Sequence, residues 1–96
     1  MWMKSVAAAA RGERLQGPIA RLLEYDERND SNLTESLAAW LDAFGDVRAA
    51  AATLFIHTNT LRYRLRRVEE ISGIDLADPD QRFAAMLQLR TLTPPR

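Results

Sequence analysis

The chain has 96 residues, 47% of them hydrophobic, with 13 basic and 13 acidic side chains that cancel to a formal net charge of zero. That is one small domain with a single core, too apolar to be disordered. The absence of cysteine excludes disulfides and thiolate metal sites and is compatible with a reducing cytoplasm, and no apolar run approaches the roughly 18 residues of a membrane span.

Residues 1–16, MWMKSVAAAARGERLQ, form an N-terminal segment of their own. Lys4 sits inside its apolar stretch and its alanines are weakly hydrophobic, so it reads poorly as a signal peptide. It reads better as a frayed or partner-docking helix left over from a longer protein, with Trp2, Val6 and Ala10 at helical spacing. Gly17-Pro18 then punctuates the chain, proline suiting the first turn of a new helix, and opens a domain over 17–93. Ile19, Leu22 and Leu23 give that helix an apolar face before the polar run Asp26 to Asn32. Asn32 is placed to cap the next helix, with Glu35 reaching back as in a capping box. Leu33, Leu37, Trp40, Leu41 and Phe44 share one stripe of it, and Gly45 ends it. Asp46 caps a third helix, Val47 to Leu54, in which Ala50 and Ala51 allow close approach of another helix. A fourth runs from Thr58 to Ser72 and stops at Gly73. Asp78-Pro79-Asp80-Gln81 supplies a cap, a first-turn proline and a capping-box glutamine for a fifth, which carries Phe83, Met86, Leu87 and Leu89 and ends at Thr93-Pro94-Pro95. No segment alternates with period two for long enough to compete as a strand. The pattern therefore predicts an all-α domain of five helices, near 18–28, 33–44, 47–54, 58–72 and 79–92.

Val47 to Val68, VRAAAATLFIHTNTLRYRLRRV, holds five arginines and no acid, so the basic charge of a neutral chain is concentrated there. A short alanine-rich helix, a tight turn and a basic helix make the layout of a DNA-reading helix-turn-helix. Around the fourth helix, at about 100° per residue, Leu61, Leu65 and Val68 form a core stripe, with Ile71 at its flank. Asn59, Arg62, Tyr63, Arg66 and Arg67 fall on the opposite, polar face. Arginine offers a bidentate fork to guanine or phosphate, asparagine pairs bidentately with adenine, and Thr58 and Thr60 in the first turn suit a phosphate. The plainer reading is that Arg66 and Arg67 pair with Glu69 and Glu70 one turn on; both readings can hold together.

Ala50-Ala51-x-x-Leu54-x-Ile56, followed by x-x-x-Thr60-Leu61, resembles the helix-turn-helix of the Fis type. Phe55 stands where that pattern commonly has a left-handed glycine. A bulky residue at positive φ is strained, which points to a turn of different construction. The run Leu54-Phe55-Ile56-His57-Thr58-Asn59-Thr60-Leu61-Arg62-Tyr63-Arg64-Leu65 resembles the L-x-I-H-x-N-T-L-x-Y-R-L signature of the PucR C-terminal helix-turn-helix domain, a family that includes sugar-diacid (CdaR-type) regulators. The likeness extends upstream through Leu22-Leu23-Glu24-Tyr25-Asp26 and downstream through Gly73-Ile74-Asp75-Leu76 and Asp78-Pro79, over roughly residues 19 to 92.

The resemblance implies a transcription regulator that binds double-stranded DNA, with its effector-binding region outside these 96 residues. It places Thr58, Asn59, Arg62 and Tyr63 nearest the bases, and Thr60, Arg64 and Arg66 nearer the backbone. His57, the lone histidine, lacks partners for a metal site and is expected to cap the helix or contact a phosphate. No nucleophile lies beside a base, no glycine loop cradles phosphate and no ligand cluster is present, so no enzyme, cofactor or metal site is expected. The competing reading is a helical interaction module that does not bind DNA. A homodimer is expected through residues 1–16 or a region upstream; the alternative is that those residues fold back on their own domain.

Overall fold

The computed structural model describes residues 17–92, and among them every regular element is a helix. These are α1 (Pro18–Asn29), α2 (Leu33–Asp42), α3 (Val47–Leu54), α4 (Thr58–Ser72) and α5 (Pro79–Leu92). The expectations for residues 1–16, and for Thr93-Pro94-Pro95 as terminator, lie outside the described residues. Helix α4 packs against α1, α2 and α3, while α5 closes the far side against α1 and α2. One core joins Ile19 and Leu22 of α1, Leu33, Leu37, Trp40 and Leu41 of α2, Ala50 and Ala51 of α3, Leu61, Leu65 and Val68 of α4, and Leu89 of α5. Leu54, at the end of α3, is only partly buried and packs against the edge of that core.

Three helix ends differ in detail from the sequence pattern. Helix α2 stops at Asp42, two residues early, because Phe44 turns left-handed at φ 55°. The Gly45 amide then bonds back to the Trp40 carbonyl at 2.9 Å and the Phe44 amide to that of Leu41 at 3.0 Å, the two bonds of a Schellman closure. Phe44 is thereby swung off the apolar stripe and left 92% exposed, beside an open apolar cleft that it lines with Leu41, Phe83 and Met86. Phe83 and Leu87 of α5 are likewise exposed, so among the described apolar side chains Ala85 and Leu89, with Met86 in part, seat that helix.

The cap of α2 is also supplied from elsewhere. The Asn32 side chain makes no capping bond. Instead the Asp26 carboxylate, from the last turns of α1, accepts from the amides of Leu33 (3.0 Å) and Thr34 (2.8 Å) and from the Ser31 hydroxyl. Partial burial opposes the charge on Asp26, but these hydrogen bonds outweigh it and hold the carboxyl below its ordinary pKa. The folded value thus lies below the unfolded value of about 3.9, so the ionised cap stabilises the fold above that pH and its contribution is lost as pH falls through the folded pKa. Asp26→Ala is expected to cost about 1–2 kcal/mol at neutral pH, with the gap to the parent narrowing in acid; urea titrations of both chains at several pH values check this.

At α5 the expected cap is present: Asp78 Oδ1 accepts from the Asp80 amide at 2.9 Å. The glutamine is used differently. Gln81 donates to Asp78 Oδ2 and accepts from the Asp75 amide at 2.8 Å, pinning the α4–α5 loop rather than closing a capping box. Hydrogen bonds from the Gln81 side chain and the Asp80 amide hold the Asp78 carboxyl below its ordinary pKa.

Candidate nucleic-acid interface

The local sequence from Asp46 to Gly73 builds a bihelical unit with a three-residue turn. Asp46 caps α3 as expected, accepting from the Ala49 amide at 3.1 Å. Ala50 and Ala51, both buried, present no side chain beyond a methyl group, which lets α4 approach α3. The turn is nevertheless built in the left-handed way that Phe55 argued against. Phe55 adopts φ 58° and ψ 42°, its amide bonds to the Ala52 carbonyl at 3.2 Å, and the Ile56 amide bonds to that of Ala51 at 3.0 Å. The Schellman closure and the burial of α3 against α4 override the local preference. The ring itself is 94% exposed, so its conformation gains no core packing.

A left-handed conformation costs a non-glycine residue about 1–2 kcal/mol, and glycine loses about 0.5–1 kcal/mol through its freer unfolded state. Phe55→Gly is therefore expected to leave stability unchanged or raise it by up to about 1 kcal/mol. A thermal melt showing clear destabilisation would contradict this account.

His57 opens α4. Its backbone is extended, and its Nδ1 accepts from the Asn59 amide at 3.0 Å, satisfying one of the helix's free donors. Of the two roles expected from sequence, capping is the geometry found. Along α4 the core stripe falls where expected: Leu61 and Val68 are fully buried and Leu65 nearly so.

The polar side of α4 is narrower than the sequence reading drew it. Asn59, Thr60, Arg62, Tyr63 and Arg66 are exposed, and Thr58 is half-buried in the first turn. Asn59 Oδ1 accepts from Arg62 Nη1 at 3.4 Å, a long contact that leaves both free to turn to another partner. Arg66 makes no hydrogen bond or ion pair among the described residues, so its expected pairing with the acids one turn on is not found. Glu69 instead accepts from the Leu76 amide at 3.0 Å.

Arg67 does not belong to the outward face. It lies at the seam with α1, where Nη2 donates to the Tyr25 hydroxyl at 3.0 Å, Nη1 to Glu70 at 2.6 Å, and the guanidinium sits 5.6 Å from the Tyr25 ring centre. The Tyr25 hydrogen bond, then the one to Glu70, raise its pKa above the ordinary arginine value. One turn earlier on the same side of the helix, Arg64 is partly buried and donates to the Ser36 hydroxyl of α2 at 3.2 Å. Position explains both: from the centre of the outward face, Arg67 lies about 80° to one side and Arg64 about 140°, where neighbouring helices pack. Tyr25 and Ser36 were missed as partners, because 42 and 28 residues of chain separate each pair and no local pattern signals them. Arg21 of α1 ties down the other end of α4, donating to the Ser72 carbonyl at 2.6 Å.

Among the described residues no helix is long and apolar enough to cross a membrane, and no group of His, Asp or Glu could hold a metal ion. The outward face is thus a convex, cation-bearing helix surface with hydroxyl, amide and guanidinium donors, tied along one flank to α1 and α2.

The chain is 38% identical over 72 residues to the "DNA-binding transcriptional activator AdeR" of Bacillus subtilis, a match covering 75% of this chain and 17% of that protein. It is 39% identical over 80 residues to the "Carbohydrate diacid regulator" of Escherichia coli, covering 83% and 20%. It is 33% identical over 68 residues to the "Purine catabolism regulatory protein" of Bacillus subtilis, covering 71% and 13%. The chain spans a fifth or less of the length of these curated relatives. No solved structure matches it. The family model described as "PucR C-terminal helix-turn-helix domain" matches residues 33–91, from the start of α2 to the last turn of α5. A bihelical unit closed by a left-handed turn, with a basic outward face on its second helix, is what that match encloses, and the chain belongs to the PucR C-terminal helix-turn-helix domain family.

Proposed function

We propose that this chain is the DNA-binding part of a transcription regulator, docking α4 in the major groove of double-stranded DNA. The observation that carries the reading is the outward face of α4, where Asn59, Arg62, Tyr63 and Arg66 stand exposed and none is paired with an acid. Thr58, Asn59, Arg62 and Tyr63 are assigned to the base edges, and His57, Thr60 and Arg66 to the phosphates bordering the groove. Arg64 and Arg67 act along one flank, holding the helix at its angle to α2 and α1 while their remaining N–H groups face the backbone. The relatives' names, a DNA-binding transcriptional activator, a carbohydrate diacid regulator and a purine catabolism regulatory protein, support the same reading. An effector-binding region in sequence beyond these 96 residues and action in the cytoplasm belong to this proposal.

A single short helix specifies few base pairs, so the DNA-bound form is proposed to be a two-fold pair presenting recognition helices about 34 Å apart. Residues 1–16 or an upstream region would carry the pairing. Sedimentation of the full chain beside one beginning at Gln16 tests the first; monomers in both at high concentration exclude it. The central test is duplex binding as a function of salt. Affinity for a duplex from the chain's own regulatory region should fall steeply as salt rises, through release of counterions from the phosphates. Self-association insensitive to salt, with no duplex binding, would instead favour an interaction module.

A further inference from the structure

The outward face of α4 does not end at α4. Arg62 and Arg66 share an open cleft with Arg82 of α5, with Val47 at the start of α3 and Trp40 among the other walls. Arg82 is partly buried, its guanidinium 5.9 Å from the centre of the Trp40 ring, so its orientation is set before any ligand arrives. The acids nearest in the chain are otherwise engaged: Glu69, which also lines the cleft, accepts from the Leu76 amide, and Asp78 from the Asp80 amide and the Gln81 side chain. None of the three arginines forms an ion pair among the described residues. Three arginines from two helices thus line one open cleft in which the Glu69 carboxylate is tied to a backbone amide and Asp78, near enough to Arg82 to feel its charge, forms no ion pair with it. A stationary anion is the ligand such a set suits, since planar forks bind phosphate oxygens in pairs.

We propose that this cleft is a phosphate site for the DNA backbone, and that Arg82 is a DNA contact supplied from outside the helix-turn-helix. The proposal rests on the DNA-binding reading above and extends it: with α4 in the groove, the strand bordering the groove on the α5 side passes through the cleft. Arg66 holds it from one wall, beside the base-facing Arg62, and Arg82 from the other. A phosphate contact carries no base information, so Arg82 contributes equally to every sequence and sets the tilt of α4 in the groove.

The experiment compares the full chain with Arg82→Met, which keeps the apolar stem over Trp40 but removes the charge, and with Arg82→Lys, which keeps the charge. Each is titrated with the same duplex and with a random duplex over a range of salt. The methionine variant is expected to lose affinity for both duplexes by a similar factor, with the slope of log affinity against log salt reduced by about one. The lysine variant should restore the slope and part of the affinity. A merely structural role would shift the thermal melt and leave the slope unchanged. A measurement on the unaltered chain guards against a variant that fails to fold: the side-chain Nε–Hε resonance of Arg82 should shift with those of Arg62 and Arg66 as duplex is added. Unchanged slope, or shifts at Arg62 and Arg66 alone, overturns the proposal while leaving the DNA-binding reading intact. Absence of duplex binding by the parent chain overturns both.

Discussion

Leu61→Ala is expected to lower the unfolding free energy by about 2–5 kcal/mol. Leu61 is fully buried on the inner stripe of α4, within the core that also takes Ala50 and Ala51 of α3 and Leu37 of α2. Truncation removes three carbons from a site where neighbouring helices are held by their own packing, so the space cannot fully collapse. For a domain whose total stability is on the order of 5–15 kcal/mol, that is a large share, and a melting point lower by roughly 4–8 °C per kcal/mol should accompany it. Leu54→Ala, at the half-exposed edge of the same core, should cost clearly less. Urea denaturation of both variants decides the matter; equal losses would mean that α4 does not seat on the core as described. Loss of DNA binding by Leu61→Ala near its melting point would reflect unfolding, so binding should be compared well below that temperature.

The second large effect separates reading from positioning on the face of α4. Asn59→Ala is expected to relax preference at a single base pair, at a cost of about 1–3 kcal/mol on the matched duplex, with little change on random DNA. Its amide is exposed and held only by the long contact to Arg62, so it can swing to a base edge without leaving a buried group unpaired. Arg66→Ala should weaken binding to every duplex alike and lower the salt slope by about one unit, since Arg66 is exposed, unpaired and one turn beyond the base-facing residues. Fluorescence titrations on matched, singly altered and random duplexes across salt distinguish the two patterns. If both variants lose equally on specific and random DNA, this helix does not read sequence.

Much of this was legible in the residues. Apolar spacing located all five helices to within two residues, because burying one face of each is the dominant favourable contribution to folding and leaves its period in the sequence. Asp46, Gly73 and Pro79 marked ends correctly, since cap and turn chemistry acts over a few neighbouring residues. The inner stripe of α4 and the capping role of His57 followed from the same local rules. The turn signature carried the family, which the match over 33–91 bears out.

Other features depended on partners far away along the chain. Asp26 rather than Asn32 caps α2, because the α1–α2 turn returns the carboxylate to the next helix's free amides. Arg67 leaves the outward face, and Arg64 is engaged beside it, because Tyr25 and Ser36 stand at the seams where α1 and α2 pack. Phe44 and Phe55 accept a left-handed backbone that neither would choose alone, since closing α2 and α3 with two hydrogen bonds each and burying those helices outweighs local strain. Arg82 reaches the cleft of Arg62 and Arg66 only because α5 folds back against α1 and α2. Periodicity and caps are short-range and survive in a one-dimensional string, so the helices, the core stripe and the basic segment could be read from residue order alone. Which charges are spent on holding α4 and which stay free for a partner was decided by packing between segments, and only the tertiary structure holds that.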